Sequence, residues 1–212
     1  MKRREFLTIP AAALGVLRLQ GQSRNGDIKV PLRFFTAEEA KIVSAACARI
    51  FPSDANGPGA AEAAVVIFID RQLAGPYGRD KYRYTKGPFV ASFPEHGYQG
   101  KESPREIYRA GIKTLADFAA KSPAEQDTIL AAIEKSRFFQ LLRTHTIEGM
   151  FCDPMHGGNA GLVGWQLLGF PGPQMSYRAE IDQHFSQPWR PKPASLQQIM
   201  GRPGKPWEDE KD

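Results

Sequence analysis

Two histidines and two carboxylates, His145, Glu148, Asp153 and His156, fall in one short stretch of the chain. His145 and Glu148 stand at i, i+3 of a helical pattern. Asp153 and His156 lie in the turn after it, because a residue before proline is pushed out of the helical region and Asp153 precedes Pro154. Two imidazoles and two carboxylates could hold zinc or another divalent ion, or act as acid and base. The spacing matches no dedicated metal motif, however, and short polar residues at a helix end ordinarily cap it. A second group, Asp54, Glu62 and Asp70, reads as structural: Asp54 sits in a turn and Glu62 near a helix start, where negative charge complements the helix dipole. Covalent haem attachment, dinucleotide, nucleotide-phosphate, serine-hydrolase and zinc-protease signatures are all absent. The chain therefore has no recognisable means of holding a redox cofactor.

The elements that must position these residues read as helices. Thr36 and Glu39 form a capping box, and Val43, Ala46, Cys47 and Ile50 then recur on one face of a helix that ends before Pro52. After the turn SDANGPG, a second helix is expected over Ala60 to Leu73, with Val65, Val66, Ile69 and Leu73 inward. Ser103-Pro104-Arg105-Glu106 opens a third, whose inner face is Tyr108, Gly111, Ile112, Leu115 and Ala119. Ser122 to Glu125 opens a fourth, with Ile129, Leu130 and Ile133 inward. A helix from Ser136 carries Phe138, Leu141, Leu142 and His145 toward the polar stretch. Ser176 to Phe185 is expected to form a last short helix aligning Tyr177, Ile181 and Phe185. No run combines β-branched alternation with hairpin turns.

Two stretches escape this periodicity. Residues 74–101 are rich in glycine, proline, aromatic and basic residues. A loop of that length is unusual in a compact domain unless it is functional or disordered, and its aromatic content argues against disorder. Tyr77, Tyr82 and Tyr84, beside arginines, suit a protein interface, although the loop could equally wrap its own domain. Residues 187–212 are punctuated by proline and cannot continue as a helix. They carry Trp189 and Trp207, so the arm should lie against its own core or a partner. The expected fold is mainly α: residues 1–20 a leader, 21–34 a spacer, 35–186 one helical domain with long irregular loops, and 187–212 an extended proline-rich C-terminal arm.

The formal net charge is +5, but Lys2, Arg3, Arg4 and Arg18 against Glu5 place most of that excess in the leader. Nucleic-acid binding thereby loses its main support. Arg3-Arg4 followed by Phe6-Leu7 and a short apolar run matches an export signal of the twin-arginine type, too short to span a bilayer. That route carries folded proteins, so the expected destination is the periplasm. Cys47 and Cys152 could pair there, or remain two buried thiols.

The densest stretch, Glu148 to Gly172, reads EGMFCDPMHGGNAGLVGWQLLGFPG. Its D-P-x-H-G-G-N block (Asp153, Pro154, His156, Gly157, Gly158, Asn159) is followed by G-W-x-L-x-G-F-P-G (Gly164, Trp165, Gly169, Phe170, Pro171, Gly172). With Phe35 to Asp70, these blocks resemble the gluconate 2-dehydrogenase subunit 3 family. The resemblance implies a cofactor-free small subunit accompanying a flavin-dependent dehydrogenase of the glucose-methanol-choline type. FAD would sit in that catalytic partner, and haem c in a third, multihaem cytochrome c subunit. It further implies membrane association through the complex and no catalysis by this chain alone, with joint export through the twin-arginine translocase. The alternative is a self-sufficient metal-binding or enzymatic domain centred on His145 and His156.

Overall fold

The computed structural model describes residues 30–90 and 93–201, which form eight α-helices and no strand. The leader residues Arg3, Arg4, Phe6 and Leu7, and Trp207 of the arm, lie outside the described residues. The helices are α1 (Ala37–Ile50), α2 (Val65–Ala74), α3 (Pro104–Lys113), α4 (Pro123–Ala132), α5 (Arg137–Phe151), α6 (Val163–Leu168), α7 (Arg178–His184) and α8 (Leu196–Met200).

Helix α5 is the central element, packed on α1, α2 and α3. The first half of helix α2, Val65 to Ile69, is apolar all round and buried, as is the Asp70 that follows it, as expected of a segment enclosed by other helices. Close approach between helices requires small residues at the crossings. A Cβ on Gly111 of α3 would lie 2.0 Å from the Phe138 ring of α5, and one on Gly149 of α5 would meet Val65 and Phe68 of α2 at 3.0 Å.

The starts of α1, α3 and α4 carry complete capping boxes, Thr36/Glu39, Ser103/Glu106 and Ser122/Glu125. Each satisfies backbone N–H groups that a helix leaves unpaired. At the other end of α2, Arg105 donates to the carbonyls of Leu73 (2.6 Å) and Ala74 (2.9 Å). Arg49 and Asp127 form a two-pronged ion pair, both contacts 2.7 Å, joining α1 to α4.

Three sequence expectations need correction. Helix α2 begins at Val65 and not at Ala60, because Ala64 adopts a left-handed conformation (φ 53°) that closes a preceding turn. Ala119 points outward: α3 ends at Lys113, Asp117 turns left-handed, and Phe118 takes the buried place. The proline-rich arm does contain a helix, the five-residue α8, made possible by a local capping box from Ser195 to Gln198.

Leu32 and Phe34, in the stretch read as a spacer, pack against the core. The buried carboxylate of Asp70 accepts from the backbone N–H groups of Arg33 (2.7 Å), Phe34 (2.9 Å) and Phe35 (2.9 Å). The Phe34 ring lies under the guanidinium groups of Arg105 and Arg109, 5.4 and 4.2 Å from its centroid. Arg109 also donates to the Phe34 carbonyl and pairs with Glu39. The chain thus enters the fold through a fixed point.

Candidate functional site

The polar stretch is assembled around the end of α5, whose last carbonyls need donors from outside the helix. Cys152 N–H donates to the Glu148 carbonyl at 2.8 Å, and Asn159 N–H to that of Gly149 at 2.8 Å. The indole Nε1 of Trp165 donates to the Phe151 carbonyl at 2.7 Å, and Asn159 Nδ2 to that of Cys152 at 2.9 Å. Asn159 is fully buried in a left-handed conformation (φ 47°), and its Oδ1 accepts from Gly164 N–H at 2.8 Å. One asparagine therefore holds the end of α5 against the start of α6.

The glycines of this stretch follow from the same packing. A Cβ on Gly158 would lie 2.1 Å from the Gly149 carbonyl oxygen, and one on Gly164 would lie 2.0 Å from that of Met150. Gly157 (φ 104°) and Gly169 (φ 67°) occupy conformations that other residues rarely adopt. Phe170 meets the buried Trp165 edge-on at 5.1 Å.

Asp153 has two duties. Its Oδ1 accepts from Met155 N–H at 3.0 Å, fixing the turn over Pro154–His156, and its Oδ2 accepts from Leu196 N–H at 2.8 Å. The arm returns at this point: Ala194 N–H donates to the Pro171 carbonyl at 3.1 Å, and Gly172 (φ 98°) lies against the Ala194 backbone.

The histidines do not converge. His156 is exposed at the end of its turn, whereas His145 is 2% exposed. Both ring nitrogens of His145 are taken by tyrosine hydroxyls: Nε2 by Tyr77 and Nδ1 by Tyr108, each at 2.8 Å. The Tyr108 ring is also stacked on the imidazole. A neutral imidazole offers one donor and one acceptor, which matches two hydroxyls. Burial, and then Arg137, lowers the His145 pKa to about 4, while burial raises those of Tyr77, Tyr108 and Glu148. The result is an uncharged relay from the surface to the core. It ends at Tyr108, whose hydroxyl is completely buried with His145 as its partner, so a proton passed inward has no onward route. Its physical effect is to pin the start of the long loop, through Tyr77, to α3 and α5.

Gln72, Tyr77, Thr144, His145 and Glu148 border a cavity of about 250 Å³. That is below the range of roughly 300–1,000 Å³ typical of small-molecule sites, and too small for a flavin. No group of three or more His, Cys, Asp and Glu among the described residues is arranged to hold a metal ion. The cysteines are not joined. Cys47 is buried with Thr146 Oγ1 3.3 Å from its Sγ, and burial pushes its pKa up to about 12, an unreactive thiol. Cys152 caps α5, its Sγ 3.6 Å from the Gly149 carbonyl oxygen.

The family model for gluconate 2-dehydrogenase subunit 3 matches residues 37–172, well over half of the chain. The chain belongs to the gluconate 2-dehydrogenase subunit 3 family. The match begins at the first residue of α1 and ends at Gly172, so it takes in the α5 end, the asparagine staple and the buried tryptophan. Comparison with curated proteins and with solved structures gives no match. For this subunit 3 chain, no helix among the described residues is long and apolar enough to cross a membrane.

Of the tyrosines picked out as partner contacts, Tyr77 is committed to His145, while Tyr82 and Tyr84 are exposed. Trp189 packs within the arm on α7, stacked on His184 at 5.7 Å and edge-on to Tyr177 at 6.4 Å. Tyr177, Ile181 and Phe185 are exposed. The tyrosine partners of His145, the three backbone donors on Asp70 and the link from Asp153 to Leu196 escaped the sequence reading. Each joins residues far apart in the chain, and no local pattern announces them.

Proposed function

We propose that this chain is the non-catalytic small subunit of a periplasmic, flavin-dependent dehydrogenase complex of the glucose-methanol-choline type that oxidises a sugar, sugar acid or polyol. Its role is to stabilise the folded catalytic subunit and to accompany it through the twin-arginine translocase under the address carried by Arg3, Arg4, Phe6 and Leu7. FAD belongs to the catalytic subunit, and haem c to a multihaem cytochrome c subunit that takes the electrons onward, the assembly being associated with the membrane through the complex. The observation that carries this reading is the family match over residues 37–172. It is supported by the chemistry of the polar stretch, whose hydrogen bonds close the end of α5. Binding to the folded form alone stabilises a partner by mass action and requires no chemistry from the binder.

The test replaces Arg3 and Arg4 with lysine in a host producing both subunits. Periplasmic flavoprotein should fall at least about tenfold while the cytoplasmic pool rises. Undiminished export would defeat the role assigned to the leader. Purification through a tag on this chain should also bring down a yellow, flavin-absorbing partner, and a colourless, solitary product would defeat the assignment to a complex.

A further inference from the structure

The long loop after α2 is clamped at its base and presented at its tip. At the base, Tyr77 is held by His145, and Gly78 is buried with its N–H on the Gln72 carbonyl at 3.2 Å and its carbonyl accepting from Arg105 N–H at 3.2 Å. A Cβ on Gly78 would lie 2.1 Å from the Leu73 carbonyl oxygen, so this seat is tight. Further along, Arg83 pairs with Asp80, donates to the carbonyls of Gly100 (2.6 Å) and Glu102 (3.3 Å), and lies 5.0 Å over the Tyr98 ring. Both legs of the tip are thereby tied to the body.

Between and beyond these ties, large apolar side chains face outward: Tyr82 is 80%, Tyr84 77% and Val90 70% exposed. Arg79, Lys81 and Lys86 are exposed beside them and take part in none of the ion pairs among the described residues. Lys81 lies 5.8 Å over the Tyr82 ring. Exposed aromatic area of this kind marks an interaction site, and tyrosine with arginine is enriched at protein interfaces, while the lysines add positive charge to the patch. A shaped surface gains from a binder whose loop is already held in place, because less ordering remains to be done on association. A lipid surface makes no such demand.

We propose that the tip, residues 79–90, is the docking element for the catalytic subunit. Its counterpart there is an acidic surface with recesses for Tyr82 and Tyr84. The inference rests on the accessory-subunit reading and specifies its contact. Arg79, Lys81 and Lys86 supply the salt-dependent attraction, the two tyrosines the desolvated anchors, and Tyr77 with Arg83 the support.

The experiment measures binding of the full chain to the flavin-containing subunit, isolated by dissociating the co-purified complex, at about 50 and about 300 mM salt. Reversing Arg79, Lys81 and Lys86 to glutamate should weaken binding at least about thirtyfold at low salt and flatten the salt dependence. Tyr82→Ala with Tyr84→Ala should weaken it about tenfold at both salts, leaving the salt dependence intact. All five side chains are exposed, so both variants should keep the wild-type melting temperature. If the wild-type chain binds and the charge-reversed chain binds equally well, the docking site is elsewhere and the accessory-subunit reading stands. If the wild-type chain fails to bind the flavoprotein, that reading falls and takes this one with it. Phosphatidylglycerol vesicles form the remaining arm. Vesicle binding that the charge reversal abolishes, with flavoprotein binding unchanged, would identify the tip as a lipid contact and overturn the proposal.

Discussion

The buried imidazole of His145 makes stability depend on pH in a direction that can be worked out. Its pKa falls to about 4 in the folded chain, below the ordinary histidine value of 6.5. Between those values the unfolded chain binds more protons, so acid favours unfolding. The contribution is intact above about pH 6.5 and is lost as pH falls toward about 4. Between about pH 7 and about pH 5 the loss amounts to about 2 kcal/mol. Glu148, whose pKa is raised by burial, works in the opposite sense, since there the folded chain is the one that holds its proton longer. Comparing wild type with His145→Gln cancels that opposing effect, because Glu148 is present in both. Urea unfolding at the two pH values should show the wild type losing about 2 kcal/mol more than H145Q, and equal losses would mean that the imidazole is not held neutral by burial.

Asp70 poses a sharper test at the same scale. Two of its three backbone donors, Phe34 and Phe35, share Oδ1, and Arg33 uses Oδ2. Asp70→Ala strands all three N–H groups, of which that of Phe35 is buried and those of Arg33 and Phe34 half-buried; at about 1–3 kcal/mol for a buried group left unsatisfied the cost should be about 2 kcal/mol or more. Asp70→Asn keeps one acceptor oxygen and sets an amide N–H against the remaining donor, for a smaller loss. Limited trypsinolysis provides the local readout. Cleavage after Arg33 should be slow in wild type, faster in D70N and fastest in D70A, and unchanged cleavage would show that the entry segment is held by something else.

At the scale of elements, the glycines around α6 separate two physical costs. Gly164 sits where a methyl group would lie 2.0 Å from the Met150 carbonyl oxygen, while Gly169 has open space but a left-handed backbone. G164A must therefore push two backbones apart, costing about 3 kcal/mol or more. G169A bears only the conformational penalty, about 1 kcal/mol. Thermal unfolding of the two variants should rank them in that order, and the reverse order would contradict the close packing of α6 on α5. The contrast also marks what could be read from the chain beforehand. The capping boxes at Thr36, Ser103 and Ser122 and the stop at Asp153-Pro154 were legible because each is a pattern within a few residues. The left-handed Ala64 that delays α2 was not, since alanine gives no turn signal and the turn closes on tertiary hydrogen bonds, among them Ala160 N–H on the Ala63 carbonyl. The pairing of Tyr77 and Tyr108 through His145 was equally hidden, being a matter of which inward faces meet.

For the molecule as a whole, the question is whether the arm belongs to the fold. The family match ends at Gly172, yet the chain beyond it returns to the last stretch of that match. Ala194 is buried, its N–H is on Pro171, and α8 starts with Leu196 N–H on the carboxylate of Asp153. One side chain thus closes its own turn and fastens the arm. Asp153→Ala should release the arm while leaving the helical body standing. The global cost should be about 1 kcal/mol, because the two lost hydrogen bonds are near solvent. Chymotryptic cleavage after Leu196, by contrast, should accelerate several-fold, since local opening governs access. Asp153→Asn retains an oxygen for one of the two N–H groups and should fall between. Removing residues 187–212 should reproduce the body's stability in D153A, because the arm no longer contributes in either protein. Arm cleavage as slow in D153A as in wild type would mean that Pro171 and Gly172 suffice to hold it, and that the carboxylate serves its own turn alone.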